Sequence, residues 1–103
     1  MAALDNAMTA IAGDGDPSNA QRAKLAKALA PKAAQPRYEA FLDRAPAFIA
    51  AAAPGRQGQA LRTALDSYDA ARSLAASARG LSLDAQATVF EMAGLVATLA
   101  PRA

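Results

Sequence analysis

The chain has no cysteine, no histidine and no tryptophan. Without cysteine there is no disulfide to staple the fold and no thiol nucleophile. Without histidine the commonest general base and transition-metal ligand near neutral pH is missing too. Carboxylates are left as the only candidates for acid and base work, and just two of them are glutamates, Glu39 and Glu91. Strand formers are equally scarce. Valine and isoleucine total four and the aromatics five in 103 residues, and none alternates with polar residues over a strand's length. Long apolar runs are absent as well: residues 45–55 form an uncharged run of 11 that holds two prolines, and residues 85–101 are interrupted by Glu91, so neither can span a bilayer. Met1 to Asp5 carries an acid and no basic leader, unlike a signal peptide, and the default expectation is a cytoplasmic or virion-associated protein.

What the chain has in abundance is alanine, 32 of 103 residues. Alanine loses no rotamer freedom in a helix and has no branch to crowd the preceding turn, so this composition favours an all-α fold. It also makes the apolar content of 53% misleading, because a buried methyl contributes about 0.8 kcal/mol and a buried leucine or phenylalanine roughly 1.5–3. Leucine, isoleucine, valine and phenylalanine together number 18. A core this thin predicts a marginal monomer, or one that gains stability from a partner. Arginine outnumbers lysine eight to three, and alanine, glycine, arginine and proline fill half the chain, a balance that suits a GC-rich bacterial or phage genome.

The length suits a single domain over residues 1–103, and the periodicity predicts a compact bundle of four to five helices. A first helix over 2–12 places Leu4, Ala7, Met8 and Ile11 on one side. Gly13-Asp-Gly-Asp-Pro17 breaks it, and Asp16 followed by Pro17 reads as the N-cap and first turn of a second helix reaching about Ala30. After a connector bounded by Pro31 and Pro36, a third helix carries Tyr38, Phe41, Leu42, Ala45, Phe48, Ile49 and Ala52 on one face, with a kink expected at Pro46. A fourth runs from about Arg56 to Arg79, with Leu61, Leu65, Tyr68 and Leu74 inward and Gly80 as its stop. Ser82 is expected to cap a fifth helix that Pro101 ends, and helices 4 and 5 to form an antiparallel hairpin whose alanines (Ala71, Ala75 and Ala78 against Ala93, Ala97 and Ala100) bring the backbones close.

Each chemical motif competes with a plainer reading. Asp14 and Asp16 in Gly-Asp-Gly-Asp resemble the start of a calcium loop, but Asn19 stands where the turn glycine belongs and Leu25 where the closing acid belongs, so a turn with a helix cap is the better reading. Asp66 and Asp69 lie one turn from Arg62 and Arg72 and read as a solvated ion-pair face. Gly55-Arg-Gln-Gly58 lacks the lysine of a phosphate loop and reads as a turn. Glu91 falls on the narrow polar stripe of an otherwise apolar helix. No catalytic residue, cofactor, metal site or small-molecule substrate follows from the sequence.

Two features point to binding. Residues 17–38 hold Arg22, Lys24, Lys27, Lys32 and Arg37 with no acid among them, a candidate contact for phosphate or another anion. No aromatic is interleaved, and the cations of the second helix do not share a face. The fifth helix is apolar around most of its circumference. It is therefore either the central helix of the bundle, or partly covered by another copy or another protein, with Phe90, Leu95, Val96 and Leu99 as the candidate interface. The leading expectation is a small non-catalytic helical protein that acts by protein association or self-association, as an assembly component, adaptor or inhibitor of phage or bacterial accessory origin. The alternative is a nucleic-acid-binding or regulatory module that uses the basic stretch.

Overall fold

A computed structural model describes residues 2–101 of the chain. Five helices follow one another: α1 (Ala2–Asp14), α2 (Ala20–Leu29), α3 (Gln35–Ala52), α4 (Gly58–Leu81) and α5 (Ala85–Ala97), with a 3₁₀ turn at Lys32–Ala34 before α3. Among the described residues there is no strand. Among these residues, too, no helix is long and apolar enough to cross a membrane.

α5 packs against all four other helices. Its Val89, Met92, Ala93 and Val96 are fully buried and meet Leu4, Met8 and Ile11 of α1, Leu25 and Leu29 of α2, and Phe41, Leu42 and Ile49 of α3 in one core. Its excess of apolar surface is thus largely spent inside the chain. α4 behaves differently, because its fully buried positions are Ala64, Ser67, Ala71, Ala75 and Ala78, all small. Small residues along that line let α4 lie close to its neighbours, with Tyr68 and Leu74 partly buried beside them, and α4 packs on both α3 and α5. Ser67 and Thr98 join α4 to the end of α5 through a hydroxyl–hydroxyl hydrogen bond of 2.7 Å. Ala100 also borders the α1–α2 turn: a Cβ on Gly15 would come within 3.2 Å of the Ala100 Cβ.

Helix ends differ from the sequence reading in instructive ways. α2 begins at Ala20, because Asp16 and Asn19 both adopt left-handed backbone (φ 49° and 64°) and residues 16–19 form a turn closed by the Asn19 amide on the Asp16 carbonyl. α4 continues through Gly80 and ends with Ser82 in the left-handed region, its amide bonded to the Ala78 carbonyl. Gly80 is therefore not the stop, and Ser82 closes α4 instead of opening α5. The cap of α5 is Asp84, whose carboxylate accepts the Ala87 amide at 2.8 Å. α3 runs through Pro46 as one helix, and Pro46 is buried.

Leu65, expected inside, is half exposed, since α4 lies at the edge of the bundle and its neighbours cover only a narrow strip of it. The expected ion pairs along α4 do not form among the described residues: Arg72 lies over the Tyr68 ring, and it is Arg79 that pairs, with Asp43 and Glu39 of α3. Contacts between helices offer shorter paths to opposite charge than the helix's own surface does.

The chain after α3 turns on Arg56. Its Nε donates to the Ala52 carbonyl at 2.9 Å and its Nη2 to the Leu99 carbonyl at 3.0 Å, so one guanidinium satisfies the last carbonyl of α3 and a carbonyl of the turn that follows α5. Replacing Arg56 with methionine keeps much of the stem and leaves these carbonyls without that donor. A loss of about 2 kcal/mol is expected, read as an earlier urea midpoint with unchanged slope.

Candidate association groove

Asp16 is the point from which the site is assembled. Its carboxylate is 2% exposed and faces the first turn of α2: Oδ1 accepts the Gln21 amide at 3.0 Å, and Oδ2 accepts the Arg22 amide at 2.9 Å and the Arg22 Nε at 3.3 Å. Burial alone would raise this carboxyl, but the Arg22 and Gln21 amides and the Arg22 guanidinium outweigh it and hold the group below its ordinary value. Asp14 is used locally, its carboxylate accepting the Asp16 amide at 2.8 Å. The Gly-Asp-Gly-Asp turn thus spends both acids on backbone and on Arg22.

With its Nε held, the Arg22 guanidinium lies over the ring of Phe90, 4.9 Å from the centroid. Its Nη1 occupies space that any side chain at position 94 would claim, because a Cβ on Gly94 would lie 2.9 Å from it. A side chain at position 94 would displace the end of this arginine, which is held at its Nε by an anion and lies with one face on an aromatic ring.

These residues line an open groove of about 790 Å³ between α2 and the outer face of α5. Its floor is small: Ala23 and Ala26 of α2, Ala87 and Gly94 of α5. Phe90 is the one large apolar side chain in it, 36% exposed. Asp84 and Glu91 stand on the α5 side, both exposed. On the α2 side the one cation of the lining is Arg22, already paired with Asp16, and on the α5 side the charged residues are the acids Asp84 and Glu91.

The two sets of residues read from the sequence meet here only in part. Of the apolar set, Phe90 lines the groove and Leu95 is half buried against the core, while Val96 and Leu99 lie inside the core, at 0% and 2% exposure, and have no surface to offer. Of the basic set, Arg22 lines the groove, whereas Lys24 and Lys27 of α2, Lys32 of the 3₁₀ turn and Arg37 of α3 are exposed around α2 and its connector. Asp16, one residue outside the acid-free window, neutralises Arg22 and lowers the charge that stretch presents to phosphate. Sequence reasoning missed Gly94 and the pairing of Asp16 with Arg22. A glycine inside an otherwise good helix was the available signal, since it weakens a helix unless something approaches closely. No family model, no curated protein and no solved structure matches this chain.

Proposed function

We propose that this is a small non-catalytic association module whose working surface is the α2–α5 groove. The observation that carries this reading is the oriented Arg22–Phe90 pair above a floor of alanine and glycine. A partly exposed phenylalanine stacked by an immobilised arginine resembles the aromatic and arginine anchors that dominate protein interfaces, and a floor without bulk lets a second helix approach. Fixing Arg22 beforehand lowers the ordering cost of binding.

The absence of native cysteine makes a clean test available. Gln86→Cys on the rim of the groove and Arg62→Cys on α4, each coupled to a benzophenone maleimide, place one photocrosslinker on the candidate surface and one away from it. Irradiation in extract of the native host, alongside a sample of pure protein, is expected to give a discrete protein adduct from position 86 and none from position 62. Equal labelling from both positions, or from neither, would remove the reading.

A further inference from the structure

We propose that the outer side of α2 and the connector after it form a second, separate surface, which holds the phosphate backbone of a nucleic-acid duplex. Lys24 and Lys27 of α2, Lys32 of the 3₁₀ turn and Arg37 at the start of α3 are all exposed, and none of them makes a salt bridge among the described residues. Lys24 and Lys27 stand three positions apart and so lie side by side on the helix, while Leu25, Ala26 and Leu29 turn inward. Arg22 takes no part, because Asp16 and Phe90 hold it in the groove.

Most acids that could neutralise these cations are engaged elsewhere. Asp5, Asp16, Glu39 and Asp43 pair with arginines, and Asp14 and Asp84 accept backbone amides. Asp66, Asp69 and Glu91 remain, the first two on α4 and the third on α5. The chain's net charge of +2 is therefore unevenly spread, with unpaired positive charge gathered in residues 24–37.

What this segment lacks decides the partner. The exposed large apolar residues Leu65, Leu81, Leu83 and Phe90 all lie outside it, and its own Leu25 and Leu29 are buried, as is Tyr38 beside Arg37. A surface without an apolar anchor has nothing to bury in a protein partner and nothing to insert into a bilayer. A single strand would need exposed aromatic rings for its bases, and the segment has none. A duplex keeps its bases inside and presents a regular row of phosphates, which lysine and arginine neutralise with release of counterions. The exposed Ala20 and Ala28 beside the lysines add no bulk to hold a rigid duplex away.

Anisotropy titrations of the pure protein into labelled duplexes of about 20 base pairs test this, with DNA and RNA in parallel to identify which supplies the phosphates. With four phosphates neutralised on DNA, log K should fall with log salt at a slope of about −3.6, a loss of roughly a hundredfold between about 50 and 200 mM. The double variant Lys24→Gln, Lys27→Gln is expected to lower the slope by about two and the affinity at about 50 mM at least tenfold. Arg62→Gln with Arg72→Gln removes the same charge from exposed positions of α4 and should leave both quantities unchanged. All four positions are exposed, so the circular dichroism spectra should match wild type. Absence of binding to either duplex at about 100 μM protein in about 25 mM salt overturns the proposal. Equal losses from the two double variants, or binding to phosphatidylserine vesicles and to neither duplex, do the same. None of these substitutions lies in the groove, so crosslinking from position 86 is judged separately.

Discussion

Asp16→Ala is expected to remove about 3 kcal/mol of stability, lowering the Tm by roughly 12–24 °C for a domain of this size. Three hydrogen bonds end on this carboxylate, two of them from the first turn of α2 and one from the Arg22 guanidinium. Loss of a helix cap by itself costs about 1 kcal/mol. Removing one partner of a buried pair costs about 3–5 kcal/mol, and the lower end applies because the Arg22 side chain is 19% exposed and can turn toward water. Alanine is also strained at a φ of 49°, where aspartate and asparagine are better tolerated. A melt within about 3 °C of wild type would show that the carboxylate does not hold the turn.

The same group gives a pH signature. The folded-state carboxyl lies below its ordinary value of 3.8, so its stabilising contribution is fully present above that value and is lost as the pH falls through the depressed folded pKa. Asp16→Asn tolerates the backbone conformation and retains one acceptor, but carries no charge. Wild type and Asp16→Asn are expected to differ most near neutral pH and to converge in acid, with denaturant titrations at pH 7 and pH 2.5 as the measurement. A difference that stays constant over that range would assign the effect to shape and hydrogen bonding instead of charge.

Ala93→Leu should destabilise by about 2–3 kcal/mol, although it adds apolar surface to a chain with few large side chains. Ala93 is 0% exposed on the helix that touches every other one, and a larger residue there must push helices apart or leave its preferred rotamer. Ala51→Leu, on the exposed side of α3, should change stability by no more than about 0.5 kcal/mol. Urea melts of the two variants compare them directly. If Ala93→Leu stabilised the protein, the core would be underfilled, and the alanines would be holding space open instead of drawing the helices together.

Both predictions show what can be read locally and what cannot. The helical class, the five segments and the inward faces of α1 and α3 follow from residues within a turn or two of one another, and there the 3.6-residue period is informative. Helix ends are less legible: Ser82 and Gly80 both suit a left-handed stop, and Asp84 and Ser82 both suit a cap, so which residue serves depends on where the next helix must lie. Leu65 shows the remaining limit, because periodicity says which face is apolar but not how wide a strip the neighbours cover.

By itself the sequence determined that this chain forms helices, that alanine gives it a thin core, and that the usual histidine and cysteine chemistry is absent. All three depend on the intrinsic properties of side chains. Only the tertiary structure decided that α5 is central, that Val96 and Leu99 lie inside while Phe90 stays at the surface, and that Asp16 captures Arg22. The physical reason is that burial and pairing are set by groups brought together from separate helices. The bare backbone of Gly94 became meaningful only when α2 laid an arginine against it.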